Sequence, residues 1–200
     1  MERKLDFGAT LGDAFRTGFQ NILNLLLTIL LYGITLWIPY LNIATTIGLY
    51  RIIIALAHEE TFSPTDIFKK ENFQPIGDFF LLLGFQTAGI GAAAFFLFFP
   101  AMVLSIAWQY STYFLLDRGV SPLRALKLSF DVTRGEKWSI FFIGLVYGFC
   151  ICLVCGLLFA IPKVGPFLGG IAYFVALPLF ISLQAVLYRY FFDKAVEMTA

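Results

Sequence analysis

Charge is what this chain has least of. Charged residues fill 14% of its 200 positions and hydrophobic residues 60%; a soluble domain carries about 25% charged residues. A globule of this length cannot bury so much apolar surface, so the excess is expected to face lipid. The net charge of +1 leaves no dense basic field, which argues against a nucleic-acid partner. There is a single histidine, His58, and there are three cysteines. Cys150, Cys152 and Cys155 share one apolar run, and an odd number on one helix excludes a disulfide framework. Their Cys-x-Cys-x-x-Cys spacing is compatible with a metal site, but His58 lies at the charged end of a different run. They read as small residues in lipid, and neither a metal nor another cofactor is expected. Also missing are a Gly-rich phosphate loop, a His-Glu metal motif and a nucleophile elbow. The apolar runs hold no Asp or Glu away from their ends, so no enzyme is expected.

What is present is apolar sequence in six runs, at about 22–38, 40–57, 77–98, 100–116, 138–161 and 165–191. Most have the length of a membrane-crossing helix, at ~1.5 Å per residue against a ~30 Å hydrocarbon core. Charge returns only after every second run. Of the 27 Lys, Arg, Asp and Glu residues, 26 fall on one side of this scheme and Lys163 alone on the other. The short turns on the other side contain Pro39, Pro100, Pro162 and Pro166, which stop helices. Arg3, Lys4 and Arg16, then Lys69 and Lys70, then Arg118, Arg124, Lys127, Arg134 and Lys137, and finally Lys194, mark the cytoplasmic side. The opening Met1-Glu2-Arg3-Lys4-Leu5-Asp6 lacks a secretory signal. The expectation is therefore an all-α integral membrane domain over 1–200. Six transmembrane helices form three hairpins, and both termini are cytoplasmic.

The three charged segments open alike: Thr10-Leu11-Gly12-Asp13-Ala14-Phe15, Ser63-Pro64-Thr65-Asp66-Ile67-Phe68 and Ser121-Pro122-Leu123-Arg124-Ala125-Leu126. Ser or Thr caps a helix, Pro suits its first turn, and Asp three residues after the cap makes a short capping box. Each opening leads into an amphipathic pattern, with Leu11, Ala14, Phe15, Phe19 and Ile22 on one face of the first, and Leu123, Leu126 and Phe130 on one face of the third. The unit read here is a cytoplasmic amphipathic helix followed by a membrane hairpin, over about 10–60, 63–118 and 121–193. The leading helices are expected in the headgroup layer, apolar side down.

Ser121 through Phe142, with Ala125, Leu126, Ser129, Gly135, Trp138 and Phe141, resembles poorly characterised bacterial six-span membrane proteins. Among these is the membrane domain fused to some glycerophosphoryl diester phosphodiesterases. A similar opening recurs at Ala14, Phe15 and Asn21. The resemblance implies a bacterial inner-membrane protein; the catalytic domain of the fused members is not part of this chain, so their activity does not carry over.

Aligned on these openings, the returning runs carry matching aromatic and polar pairs: Tyr50-Arg51, Trp108-Gln109 and Tyr188-Arg189. A charge inside a membrane needs a partner or an escape. Arg51 and Arg189 either snorkel or pair with Asp13, Asp78 or Asp131, or they face a lipid phosphate or anionic solute. With Gln109 and the α-helical basic stripe Arg124, Lys127 and Arg134, they are the candidate lipid- or anion-binding residues. Gln86, Gln109 and Gln184 suit hydrogen bonds between helices. His58, Glu59 and Glu60 read as a solvated charge run. The expected function is a non-enzymatic membrane protein binding lipid, a protein partner or a second copy of itself at the cytoplasmic face. The alternative is a small transporter or channel subunit.

Overall fold

The computed structural model describes residues 5–198, and among them the chain is helical, with no strand. Arg3 and Lys4, used above to orient the chain, lie outside the described residues. The helices are α1 (Phe7–Gln20), α2 (Ile22–Thr35), α3 (Pro39–Ala57), α4 (Ile76–Phe96), α5 (Phe98–Trp108), α6 (Ser111–Arg118), α7 (Pro122–Val132), α8 (Lys137–Phe159) and α9 (Gly165–Glu197). Two 3-10 segments, Pro64–Phe68 and Lys70–Phe73, join α3 to α4.

Four helices, α3, α4, α8 and α9, are long and apolar enough to cross a membrane; α1 and α2, bent by 76°, make a fifth if taken as one broken span. The other apolar runs form shorter helices. α2 has 14 residues and α5 has 11, about 21 and 17 Å at ~1.5 Å per residue, short of a ~30 Å core. Proline explains one limit. Pro39 opens α3 and holds Ile38 extended, at φ −113° and ψ 98°, so α2 has to end before it. The run over 100–116 is interrupted between Trp108 and Ser111.

The leading segments pack on protein. α1 is capped by Asp6, whose carboxylate accepts from the N–H groups of Gly8 and Ala9. Thr10, the expected cap, lies inside the helix and donates to the Asp6 carbonyl at 2.7 Å. The buried Thr10, Ala14 and Gly18 face α9, and Phe15 lies 6.2 Å from the Tyr147 ring of α8. α7 lies on α6 and α5 with Ala125, Leu126, Ser129 and Val132 buried. The second leading helix is absent: its place is taken by the 3-10 pair. Pro64 and Pro75 flank this stretch, and Lys69-Lys70-Glu71 supplies no apolar stripe to hold a longer helix. The Asp66 carboxylate accepts from the Ser63 N–H at 3.1 Å, and Ile67 and Asn72 are buried against α3. α9, α5 and α6 cover only part of the apolar faces of α1 and α7: Ala14 on the first and Leu126 on the third leading segment are buried, and Leu123 is exposed. Phe15, Phe19 and Phe130 stay exposed, whereas Leu126 is 6% exposed.

The dense core forms where α3, α6 and α9 meet, around Ile52, Tyr110, Phe114, Leu187, Tyr188 and Phe191. Away from it the surface is apolar: Trp37, Phe95, Phe96, Phe98, Leu157 and Phe167 are all exposed. An exposed apolar surface of this extent suits lipid as its solvent.

Candidate functional site: an apolar cavity with an amide pair

Helices α2, α3, α5, α6, α8 and α9 enclose a partly open cavity of about 860 Å³. Ile29, Ile53, Leu145, Leu177, Phe180 and Ile181 supply apolar wall, and Gly144 thins the wall on α8. Its polar atoms come from six residues. Tyr32 and Thr46 share a hydrogen bond of 3.0 Å between hydroxyls. Gln109 Nε2 donates to Gln184 Oε1 at 3.0 Å. Tyr50 and Tyr113 complete the set, their rings packed edge to face at 5.2 Å. Among the described residues no Lys, Arg, Asp, Glu or His lines the cavity.

Gln109 reaches this wall because the chain breaks there. The break frees backbone groups that lipid cannot satisfy. Ser129 Oγ donates to the Ala107 carbonyl at 2.7 Å and accepts from the Tyr110 N–H at 3.2 Å. Gln86 Nε2 and Ser111 Oγ donate to the Trp108 carbonyl at 3.0 and 2.6 Å. With the Ala107 and Trp108 carbonyls and the Tyr110 N–H met by side chains, the kink is built in, and Gln109 projects between α3 and α9.

The remaining candidate residues do not converge on the cavity. Arg51 faces outward to Glu71 at 3.6 Å, and Glu71 is 69% exposed. Arg189 donates to Glu59 at 2.6 Å and to the Ala57 carbonyl at 2.7 Å. The expected partners are thus replaced. Asp13 only borders the polar pocket of about 470 Å³ beside Arg189, and neither Asp78 nor Asp131 forms an ion pair with either arginine among the described residues. The cause is topological: the 3-10 pair folds back along α3 and carries Glu71 to Arg51, and α9 passes the end of α3. Arg51 and Arg189 do not meet, and the Arg189 head group lies at Ala57, the last residue of α3, beyond Arg51. Arg124, Lys127 and Arg134 form an exposed stripe on and just after α7, without an ion pair among the described residues. Cys150 and Cys152 are exposed and Cys155 is buried. Among the described residues no group of three His, Cys, Asp or Glu side chains is placed to hold a metal.

One constellation has no counterpart in the sequence reading. Asp117 Oδ2, at the end of α6, accepts from Tyr188 OH at 2.6 Å and lies 3.0 Å from His58 Nε2. This single oxygen ties the ends of α3 and α6 to α9. His58 packs edge-on against Phe192 at 4.6 Å, and the Arg118 guanidinium sits 4.7 Å from the same ring. Tyr188 in turn stacks on Tyr113 of the cavity wall at 5.1 Å. The pairing spans 59 and 71 positions in the chain, so no local motif marks it.

Compared with known protein families, curated proteins and solved structures, the chain matches none.

Proposed function

We propose that this chain is a lipid-binding integral membrane protein that holds one lipid molecule in the cavity between α3, α5, α8 and α9. The observation that carries this is the cavity itself: about 860 Å³, walled mainly by aliphatic and aromatic side chains, with a pair of glutamines set into it. That size and composition suit a single ligand of moderate size. Among the described residues the lining offers no carboxylate, imidazole or thiol, which favours holding a ligand over converting it.

In this proposal the six apolar runs form three hairpin units inserted from the cytoplasmic side of a bacterial inner membrane, with α2 and α5 as short arms. Contacts between elements support a ring. The leading segment of each unit packs on a helix of another: α1 on α9, the 3-10 pair on α3, and α7 on α6. The cavity draws its lining from all three units. The cationic side chains beside the cytoplasmic ends orient the ring through the positive-inside rule, and the stripe of Arg124, Lys127 and Arg134 faces anionic headgroups.

Gly144 supplies the test. A Cβ added there meets nothing within 4 Å, and Gly144 lines the cavity, so Gly144→Phe adds bulk to the cavity wall without a clash at its Cβ while removing a helix-interior glycine. Purified wild type and Gly144→Phe are compared by lipid extraction and mass spectrometry at equal melting temperature. The variant is expected to lose at least nine-tenths, roughly the tenfold that 1.4 kcal/mol corresponds to, of one lipid retained by the wild type. Identical retention in both rules out the cavity as the binding site.

A further inference from the structure

We infer that the ligand is an uncharged amphiphile, with a hydroxyl or ester head hydrogen-bonded at Gln109 and Gln184 and its chains along α8 and α9. This rests on the proposal of a lipid in the cavity and goes beyond it by naming the headgroup chemistry. Three observations carry it.

The first is the placement of charge. Arg51 follows Tyr50, a lining residue, and Arg189 lies five positions after Gln184, another. Both guanidinium groups turn away from the cavity, to Glu71 and to Glu59 with the Ala57 carbonyl. A phosphate drawn into the cavity would lose its water without gaining a cation, and an isolated buried anion is strongly disfavoured.

The second is the hydrogen-bonding capacity left over. Gln109 spends one amide hydrogen on Gln184 Oε1. Its own Oε1 and both Gln184 amide hydrogens have no protein partner among the described residues, and neither do the Tyr50 and Tyr113 hydroxyls. The set mixes donors with acceptors. A hydroxyl is both and an ester carbonyl accepts, so both are matched; an acceptor-only phosphate would leave Gln109 Oε1 facing another acceptor.

The third is the distribution of the apolar wall. Ile140, Phe141 and Leu145 from α8 and Leu177, Phe180 and Ile181 from α9 line the cavity. This is a lining for hydrocarbon, continuous with the amide pair at Gln184 on the same helix. The cavity is also partly open, so it is not sealed against an entering amphiphile.

The test uses the purified full chain in detergent and two probes with identical chains, dioleoylglycerol and dioleoylphosphatidylglycerol. Native mass spectrometry reads the occupancy of each. The wild type is expected to take up dioleoylglycerol with at least about tenfold preference, the ratio expected from one additional matched hydrogen bond. Gly144→Phe is expected to abolish that adduct, and the double variant Gln109→Leu, Gln184→Leu to weaken it about tenfold while leaving weak background binding of the anionic probe unchanged. Equal or preferential binding of dioleoylphosphatidylglycerol that Gly144→Phe blocks would overturn the uncharged headgroup and leave the cavity as a lipid site. Binding of both probes that ignores Gly144→Phe would overturn the cavity itself. The headgroup comparison needs only wild-type protein, so it stands if the glutamine double variant fails to fold.

Discussion

Removing the Asp117 carboxylate should loosen the junction of α3, α6 and α9 more than removing either of its partners. Its Oδ2 receives two hydrogen bonds, at 2.6 Å from Tyr188 and 3.0 Å from His58, and the side chain is only 17% exposed. A hydrogen bond to a charged group contributes about 1.5–3 kcal/mol, and a buried donor left without a partner costs about 1–3 kcal/mol. Tyr188 is fully buried, so its hydroxyl has no water to turn to; His58, at 27% exposure, has. Asp117→Ala is therefore expected to cost about 3 kcal/mol, Tyr188→Phe about 1.5, and His58→Ala about 1. The decisive quantity is the coupling. In a Tyr188→Phe background, Asp117→Ala should cost about 1.5 kcal/mol less than in the wild type, because the stranded hydroxyl is gone. Equilibrium unfolding in mixed micelles, followed by tryptophan fluorescence, gives all four corners of the cycle. Strict additivity of the two substitutions would refute the shared-oxygen geometry.

Substitutions at four further positions have defined outcomes. Gly48→Ala would place a Cβ 2.5 Å from Ile67 Cα and 2.8 Å from its carbonyl oxygen; the obstacle is backbone, so the 3-10 pair has to move, at about 1–3 kcal/mol in the same unfolding assay. Ser129→Ala strands the Tyr110 N–H and removes a donor to Ala107 at the kink, for about 2 kcal/mol, while Ser129→Thr, which keeps the hydroxyl, should recover part of it. Arg51→Gln should change stability by less than about 1 kcal/mol because its ion pair is long, at 3.6 Å, and the Glu71 side of it is exposed, whereas Arg189→Gln also loses the Ala57 carbonyl and should cost more, which thermal denaturation of the two variants side by side will rank.

The helical character and four of the apolar spans were legible because hydropathy over about twenty residues reports them directly. The shortness of α2 and α5 was not. Averaging across 100–116 hides the break at Gln109 and Tyr110, which depends on Ser129 and Gln86 arriving from elsewhere to satisfy the freed groups. The amphipathic stripes of α1 and α7 were visible, but their period says only that one face is covered, not whether lipid or protein covers it. Arg51 and Arg189 stood out as intramembrane charges that need partners, and they have them. Glu71 and Glu59 could not be chosen over Asp13 or Asp131 without knowing that the 3-10 pair folds back along α3. Gln109 and Gln184 were visible as polar residues in apolar runs, but the cavity they enter is a void set by helix tilt, which has no periodic signature. His58 stands beside Glu59 and Glu60, the pattern of a solvated run, and nothing local marks Asp117, 59 positions further on, as its partner.

The most direct measurement places a photo-crosslinking benzophenone amino acid at Gly144, inside the cavity, and at Leu157, which is 66% exposed on the same helix. After illumination in native membranes, mass spectrometry identifies the lipid attached at each site. A bound lipid predicts one dominant, uncharged species at position 144 and a mixture resembling the bulk membrane at position 157. The same mixture at both positions would show that the cavity is merely part of the lipid-facing surface and holds no ligand of its own.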